Sequence, residues 1–155
     1  MAIRILDYLP QDLIRVPMAA TEKRAAIEEL VDLLAAQKQT TDRERLLAAV
    51  LDREEQRTTG VGAGLAIPHA KTDACPKLVV ALGRTARPIE FESIDHQPVR
   101  MIVLIAAPPA QNSAHIQLLA RISRLFMTES VRNALLEAPS AAALYEIIKS
   151  NDPAG

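Results

Sequence analysis

The chain is poor in the residues that build most recognisable binding sites. Its 155 residues include one cysteine, three histidines, five glycines, two tyrosines, two phenylalanines and no tryptophan. The single Cys75 has no partner for an internal disulfide and cannot assemble a cysteine-rich zinc site, so it is expected to be a free thiol near a loop. Aromatics at 3% provide no stacking platform for single-stranded nucleic acid. Neither sign of charge prevails. Eighteen Lys+Arg stand against 19 Asp+Glu, a formal charge of -1, so no global field draws nucleic acid or an anionic membrane surface. Long hydrophobic runs are missing too. The longest, Met101 to Ala107, is closed by Pro108 and Pro109, whereas about 20 apolar residues are needed to span a bilayer. The first residues, Met1 to Asp7, carry an acid where the apolar core of a signal peptide would continue. These absences point to a cytoplasmic protein with no membrane insertion and no nucleic-acid partner.

What is present fits one domain over residues 1–155. The chain is 49% apolar and 24% charged, enough to bury a core without disulfides or metals. Ile27, Leu30, Val31 and Leu34 follow Thr21 at helical spacing and predict a helix over 21–37. Thr41 and Glu44 match a capping box, and Leu46, Leu47, Val50 and Leu51 give a second helix that ends before Thr58. Extended segments are expected at Leu65–Ile67, Leu78–Gly83, Pro88–Phe91 and Val99–Ala107. The last is apolar on both faces apart from Arg100, as a central strand should be. Asn112 or Ser113 is expected to cap a helix running to about Met127, with Ile116, Leu119, Ile122 and Phe126 inward. Thr128 and Ser140 cap two more. Two helices, several strands and three helices predict an α/β fold. It is a three-layer α/β/α domain whose central mixed sheet is covered by helices on both faces.

The scarce residues are concentrated. Gly60, Gly62 and Gly64 alternate, and His69 follows five residues after the last of them. Such a run resembles a phosphate-binding loop, but the context is wrong: the glycines follow a helix rather than a strand, and no Gly-Lys-Ser/Thr comes next. The run instead reads as a flexible small-residue approach that leaves space beside His69. That residue follows Pro68 at the end of a short strand, on a constrained backbone. A histidine so placed could serve as general base, metal ligand or nucleophile. Metal ligation is disfavoured because His96 and His115 form no ligand-spaced pair with it. His115 falls in the first turn of the helix after the central strand. That end of an α/β sheet is where ligands bind, and the unpaired N–H groups there favour an anion. His96, between Asp95 and Gln97, reads as solvated.

The segment from Gly64 to Lys71, Gly-Leu-Ala-Ile-Pro-His-Ala-Lys, resembles a known motif. It is similar to the phosphorylation site of the fructose/mannitol-type (type 2) enzyme IIA domains of the bacterial phosphoenolpyruvate-dependent phosphotransferase system. The resemblance extends to Leu51–Glu54, Thr59–Gly62, Phe91–Asp95, Gln97–Val99 and His115–Leu119, and covers the chain from about Ile5 to Ile148. It implies that His69 accepts a phosphoryl group through Nε2 from a phosphorylated HPr-type phosphocarrier protein, and that His115 helps hold that group. It implies further that an arginine before the glycines, Arg53 or its competitor Arg57, approaches the phosphoryl oxygens, and that no cofactor or metal is needed. The family pattern often has Asn before the third glycine and Gly after the histidine; here these are Ala63 and Ala70. The chain shows no transmembrane or fused permease region, which resembles the free-standing nitrogen-regulatory branch, whose partner is a downstream regulatory target protein. The alternatives are a free-standing domain that passes phosphate to a sugar permease domain, and a binding module that keeps the fold without phosphate turnover.

Overall fold

In the computed structural model, which describes residues 3–152, the elements run β1 (Ile14–Met18), α1 (Lys23–Ala36), α2 (Arg43–Gln56), β2 (Gly60–Gly62), β3 (Leu65–Ala66) and β4 (His69–Lys71). There follow β5 (Val79–Ile89), β6 (Val99–Ala107), α3 (Asn112–Met127), α4 (Glu129–Glu137) and α5 (Ala141–Asn151). The ends of the expected 1–155 domain, and Met1 and Ala2 of the N-terminal stretch, lie outside the described residues.

Strand β6 has the expected bounds and is the axis of the sheet. The order is β1-β5-β6-β3-β2, with β4 also on β6. The sheet is mixed: β6 runs antiparallel to β5 and parallel to β3 and β4, while β1 is parallel to β5. Apart from Arg100, every residue of β6 is buried, so both faces of the sheet are covered. Helices α1 and α2 pack together and reach β4, β5 and β6; α3, α4 and α5 form a second group that reaches β6 and β1. This is the expected α/β architecture. The core it encloses includes Leu30 and Leu34 of α1, Leu46 and Val50 of α2, Ile102 and Leu104 of β6, and Leu118 of α3, all fully buried. Among the described residues no helix is long and apolar enough to cross a membrane.

Several local expectations need correction. Strand β1 was not expected. Its Pro17 removes a ladder donor, and the position is an edge, where a sheet accepts proline. The two extended segments at 78–83 and 88–91 are one strand, β5, which passes through Pro88 with a register shift between Arg84 and Ile89. Asp42, not Thr41, caps α2, its carboxylate accepting from Arg45 N at 3.1 Å. The Thr41 hydroxyl donates to Ala74 O instead. Cys75 is a free thiol as expected, but it is fully buried.

The largest correction concerns α3. Its buried stripe is His115, Leu118, Ile122 and Phe126, whereas Ile116 is 58% exposed and Leu119 only half-buried. Ile122 and Phe126 face inward as expected, but the buried stripe as a whole is rotated by about half a residue, roughly 50°, from the phase that its apolar content suggests. That rotation carries His115 inward.

Candidate functional site

Strands β3 and β4 pair with β6 at the same offset of 36 residues, Leu65 against Met101 and His69 against Ile105. They are two halves of one strand, interrupted at Ile67-Pro68 because Pro68 has no N–H to donate. His69 is therefore the first residue after the break, at the head of β4, rather than the place where a strand stops. Its backbone is held from both sides. Pro68 O accepts from Ile105 N and Thr59 O accepts from Ile67 N, each at 3.0 Å.

The half-buried His69 ring places Nδ1 2.8 Å from Ile67 O. A carbonyl only accepts, so this contact assigns the proton to Nδ1 and leaves the Nε2 lone pair without a hydrogen-bond partner among the described residues. Burial lowers the His69 pKa from its usual value. The Ile67 hydrogen bond acts against that, and the Arg53 charge reinforces it. The ring is thus neutral at pH 7, with its second nitrogen unbonded among the described residues.

Two cavities flank this ring. One of about 310 Å³ is lined by Arg53, Arg57, Gly60, Ile67, Ile94 and Leu119 among others. The other, about 430 Å³, is lined by Asp52, Arg53, Gln56 and Lys71. Arg53 borders both and Arg57 only one. Arg53 lies in the last turn of α2 and donates from Nη1 to Arg57 O at 3.0 Å. Both arginines proposed from the sequence thus border a cavity with His69, and the charge of Arg53 also acts on the His69 ring. Arg57 contributes a backbone carbonyl.

His115 joins the site from α3. The two imidazoles lie edge to face, centroids 5.3 Å apart with an 82° interplanar angle. His115 is 1% exposed, and neither ring nitrogen has a partner among the described residues. A buried imidazole with no partner resists protonation. Burial first, then the His69 and Lys71 charges, bring its pKa down to about 4. A group whose folded pKa lies below its unfolded value binds fewer protons when folded, so stability falls as pH drops from about 6.5 towards 4. Denaturant unfolding at pH 7 and pH 4.5 should show a loss of about 2 kcal/mol from this group. His115→Asn should flatten that pH dependence; an unchanged slope in the variant would show that His115 is not its source.

Gly60 borders the smaller cavity beside His69, in keeping with the expected small-residue approach, but the run is a tight turn rather than a flexible segment. Gly62 (φ 105°), Ala63 (φ 57°) and Gly64 (φ 83°) form the tight turn between β2 and β3. Ala63 adopts a left-handed conformation that costs an alanine roughly 1 kcal/mol and suits asparagine better. The Asp95 carboxylate holds this turn by accepting from Ala63 N at 3.0 Å. Gly60 is not loose at all. A Cβ there would lie 2.4 Å from Ser93 Oγ and 2.8 Å from the Ser93 backbone, so only glycine admits this approach. His96, at φ 60°, is exposed as expected and takes no part.

Two residues near His69 were not singled out from the sequence. Lys71 follows His69 by two positions on β4, hence on the same face, and it borders the same cavity. The strand period would have revealed it once β4 was placed. Glu54 is a buried carboxylate next to Arg53; its charge gives no sign of burial in the sequence.

Residues 7–151 match the family described as phosphoenolpyruvate-dependent sugar phosphotransferase system, EIIA 2. The fructose-specific EIIA component of Haloferax volcanii is 41% identical over 144 residues, 93% of this chain and 94% of that protein. The fructose-specific EIIABC component of Bacillus subtilis is 37% identical over 97% of this chain, which spans 24% of that longer protein. Among solved structures, the nitrogen regulatory protein IIA-Ntr of Neisseria meningitidis superposes with a TM-score of 0.85 at 27% identity. That match covers 92% of this chain and 97% of that one. A constrained, singly tethered histidine beside a buried second histidine thus occurs in a chain whose relatives are phosphotransferase components, and the chain belongs to the type 2 EIIA family of the phosphoenolpyruvate-dependent phosphotransferase system.

Proposed function

We propose that this protein is a cytoplasmic phosphocarrier whose His69 accepts a phosphoryl group from a phosphorylated HPr-type protein. The observation that carries the reading is the state of the His69 ring: Nδ1 bound to Ile67 O and Nε2 free. In the transfer, the Nε2 lone pair forms the new N–P bond while the bond from phosphorus to the donor breaks, and the donor keeps that electron pair. Nδ1–H stays on Ile67 O and disperses the positive charge that the ring acquires. Catalysis of such a step is mainly positioning and stabilisation of the equatorial oxygens. Arg53 is suited to meet those oxygens from the cavities that it borders. His115 N–H, which has no acceptor among the described residues, supplies a further donor. A few buried donors of this kind stabilise a dianion far more than they would in water.

For the output we propose regulation of a downstream target protein by phosphorylation state, the reading that goes with the TM-score of 0.85 to IIA-Ntr. A second reading, relay to a sugar permease domain, is favoured by the 41% identity to a fructose-specific component. Incubation with phosphoenolpyruvate, enzyme I and an HPr-type carrier should produce one acid-labile, alkali-stable phosphate per chain. No label from any cognate carrier would leave the binding-module reading in its place. Adding a fructose-type permease domain to the labelled protein then separates the outputs: retained label supports regulation, and rapid loss to the permease supports sugar relay.

A further inference from the structure

Glu54 is a carboxylate 7% exposed, and the chemistry above does not use it. Burying an anion is costly unless charge and hydrogen bonds meet it. Here both do. Lys23 Nζ of α1 lies 3.0 Å from Oε2. Thr59 N donates to Oε2 at 2.8 Å, and the Thr59 hydroxyl donates to Oε1 at 2.5 Å. Thr59 is itself buried and passes the constraint on: Thr59 O accepts from Ile67 N at 3.0 Å, and Ile67 O accepts from His69 Nδ1 at 2.8 Å. One carboxylate therefore begins a short chain of contacts that ends on the nitrogen setting the His69 tautomer.

The same side chain acts on the other half of the site. Glu54 and Arg53 are neighbours in the last turn of α2, where successive side chains diverge by 100°. With Glu54 drawn inward onto Lys23 and Thr59, the azimuth of that turn is set and Arg53 faces the His69 cavities.

We infer that Glu54 is a positioning residue. Through Thr59 and Ile67 it holds His69 in the tautomer that frees Nε2, and through α2 it aims Arg53 at the same place. The inference rests on the proposed role of His69, but its test does not. In the unphosphorylated full chain, nitrogen NMR of the histidine rings reports the tautomer directly. Wild type should show Nδ1–H for His69. Glu54→Gln keeps the volume but loses the charge and one acceptor. It should give a mixed tautomer population and a His69 titration midpoint at lower pH, because the lost anion no longer favours the imidazolium. Its rate of phosphorylation by the HPr-type carrier should fall about tenfold or more, the scale on which small misplacements act. Thr59→Val, which removes only the hydroxyl, should produce a smaller change in the same direction. A purely structural Glu54 would lower the melting temperature and leave tautomer and midpoint alone. That result in folded Glu54→Gln overturns the inference. Should wild type take no phosphate at all, the function proposed above fails, while the tautomer comparison still decides the role of Glu54.

Discussion

His69→Ala is expected to remove phosphorylation completely, with no detectable label where wild type carries one phosphate per chain. The expectation is absolute rather than partial because nothing nearby can replace the lost nucleophile. His115, 5.3 Å away, has the right chemistry but the wrong access: at 1% exposed, its ring leaves no in-line path for a phosphorus atom carried on another protein, a stricter demand than donating to an oxygen of a group already on His69. The variant should fold normally. His69 is half-buried at the head of β4, its neighbour Ala70 already places a methyl group in that strand, and β4 is held to β6 by backbone bonds that the substitution leaves alone. Mass spectrometry before and after incubation with the phosphorylated carrier reads the result, and circular dichroism confirms the fold. Label persisting in His69→Ala would move the acceptor elsewhere, and the mass of the labelled peptide would say where.

The parts of this site differ in how legible they are in the sequence. The bounds of strand β6 and of helices α3 to α5 are close to expectation because their patterns are long and their stops are strong: Pro108 after β6, and Ser140 capping α5 by accepting from Ala143 N. The α/β layering follows from them. Strand β1 escapes because its proline carries a non-strand signal that only an edge position excuses. The phase of α3 misleads for a functional reason. Ile116 and Leu119 are apolar, and apolar content alone cannot distinguish a core stripe from the wall of a cavity beside His69; Leu119 lines that wall. His115 sits in the true buried stripe, which a pattern search for apolar residues passes over. His69 stands out because histidine is rare in this chain and follows a proline. Its tautomer does not, since Nδ1 is set by a carbonyl two residues back and that carbonyl by Thr59 and Glu54, a chain of contacts with no local signature.

Arg53→Ala should slow phosphoryl transfer to His69 by about 10² to 10³, the usual scale for removing one preorganised donor from a developing anionic centre. Arg57→Ala should stay within about threefold of wild type, since the group it supplies, the carbonyl that accepts from Arg53 Nη1, belongs to the backbone. Arg53→Lys should fall between. An ammonium keeps the charge but cannot hold Arg57 O and present a planar fork to a phosphoryl group together. A second measurement checks the assignment independently of rate. The Arg53 charge helps to hold down the His69 pKa, so Arg53→Ala should move the His69 titration midpoint to higher pH, with more of the ring protonated and unreactive below neutrality. The defect in Arg53→Ala therefore has two parts, a loss of oxygen stabilisation at every pH and a loss of neutral nucleophile that deepens as pH falls. A rate–pH profile separates them: the first lowers the plateau and the second shifts the acid limb upward. Equal losses in the two arginine variants, or an unmoved acid limb in Arg53→Ala, would place the phosphoryl oxygens away from Arg53 and return Arg57, exposed at the rim of the smaller cavity, as the guanidinium that meets them.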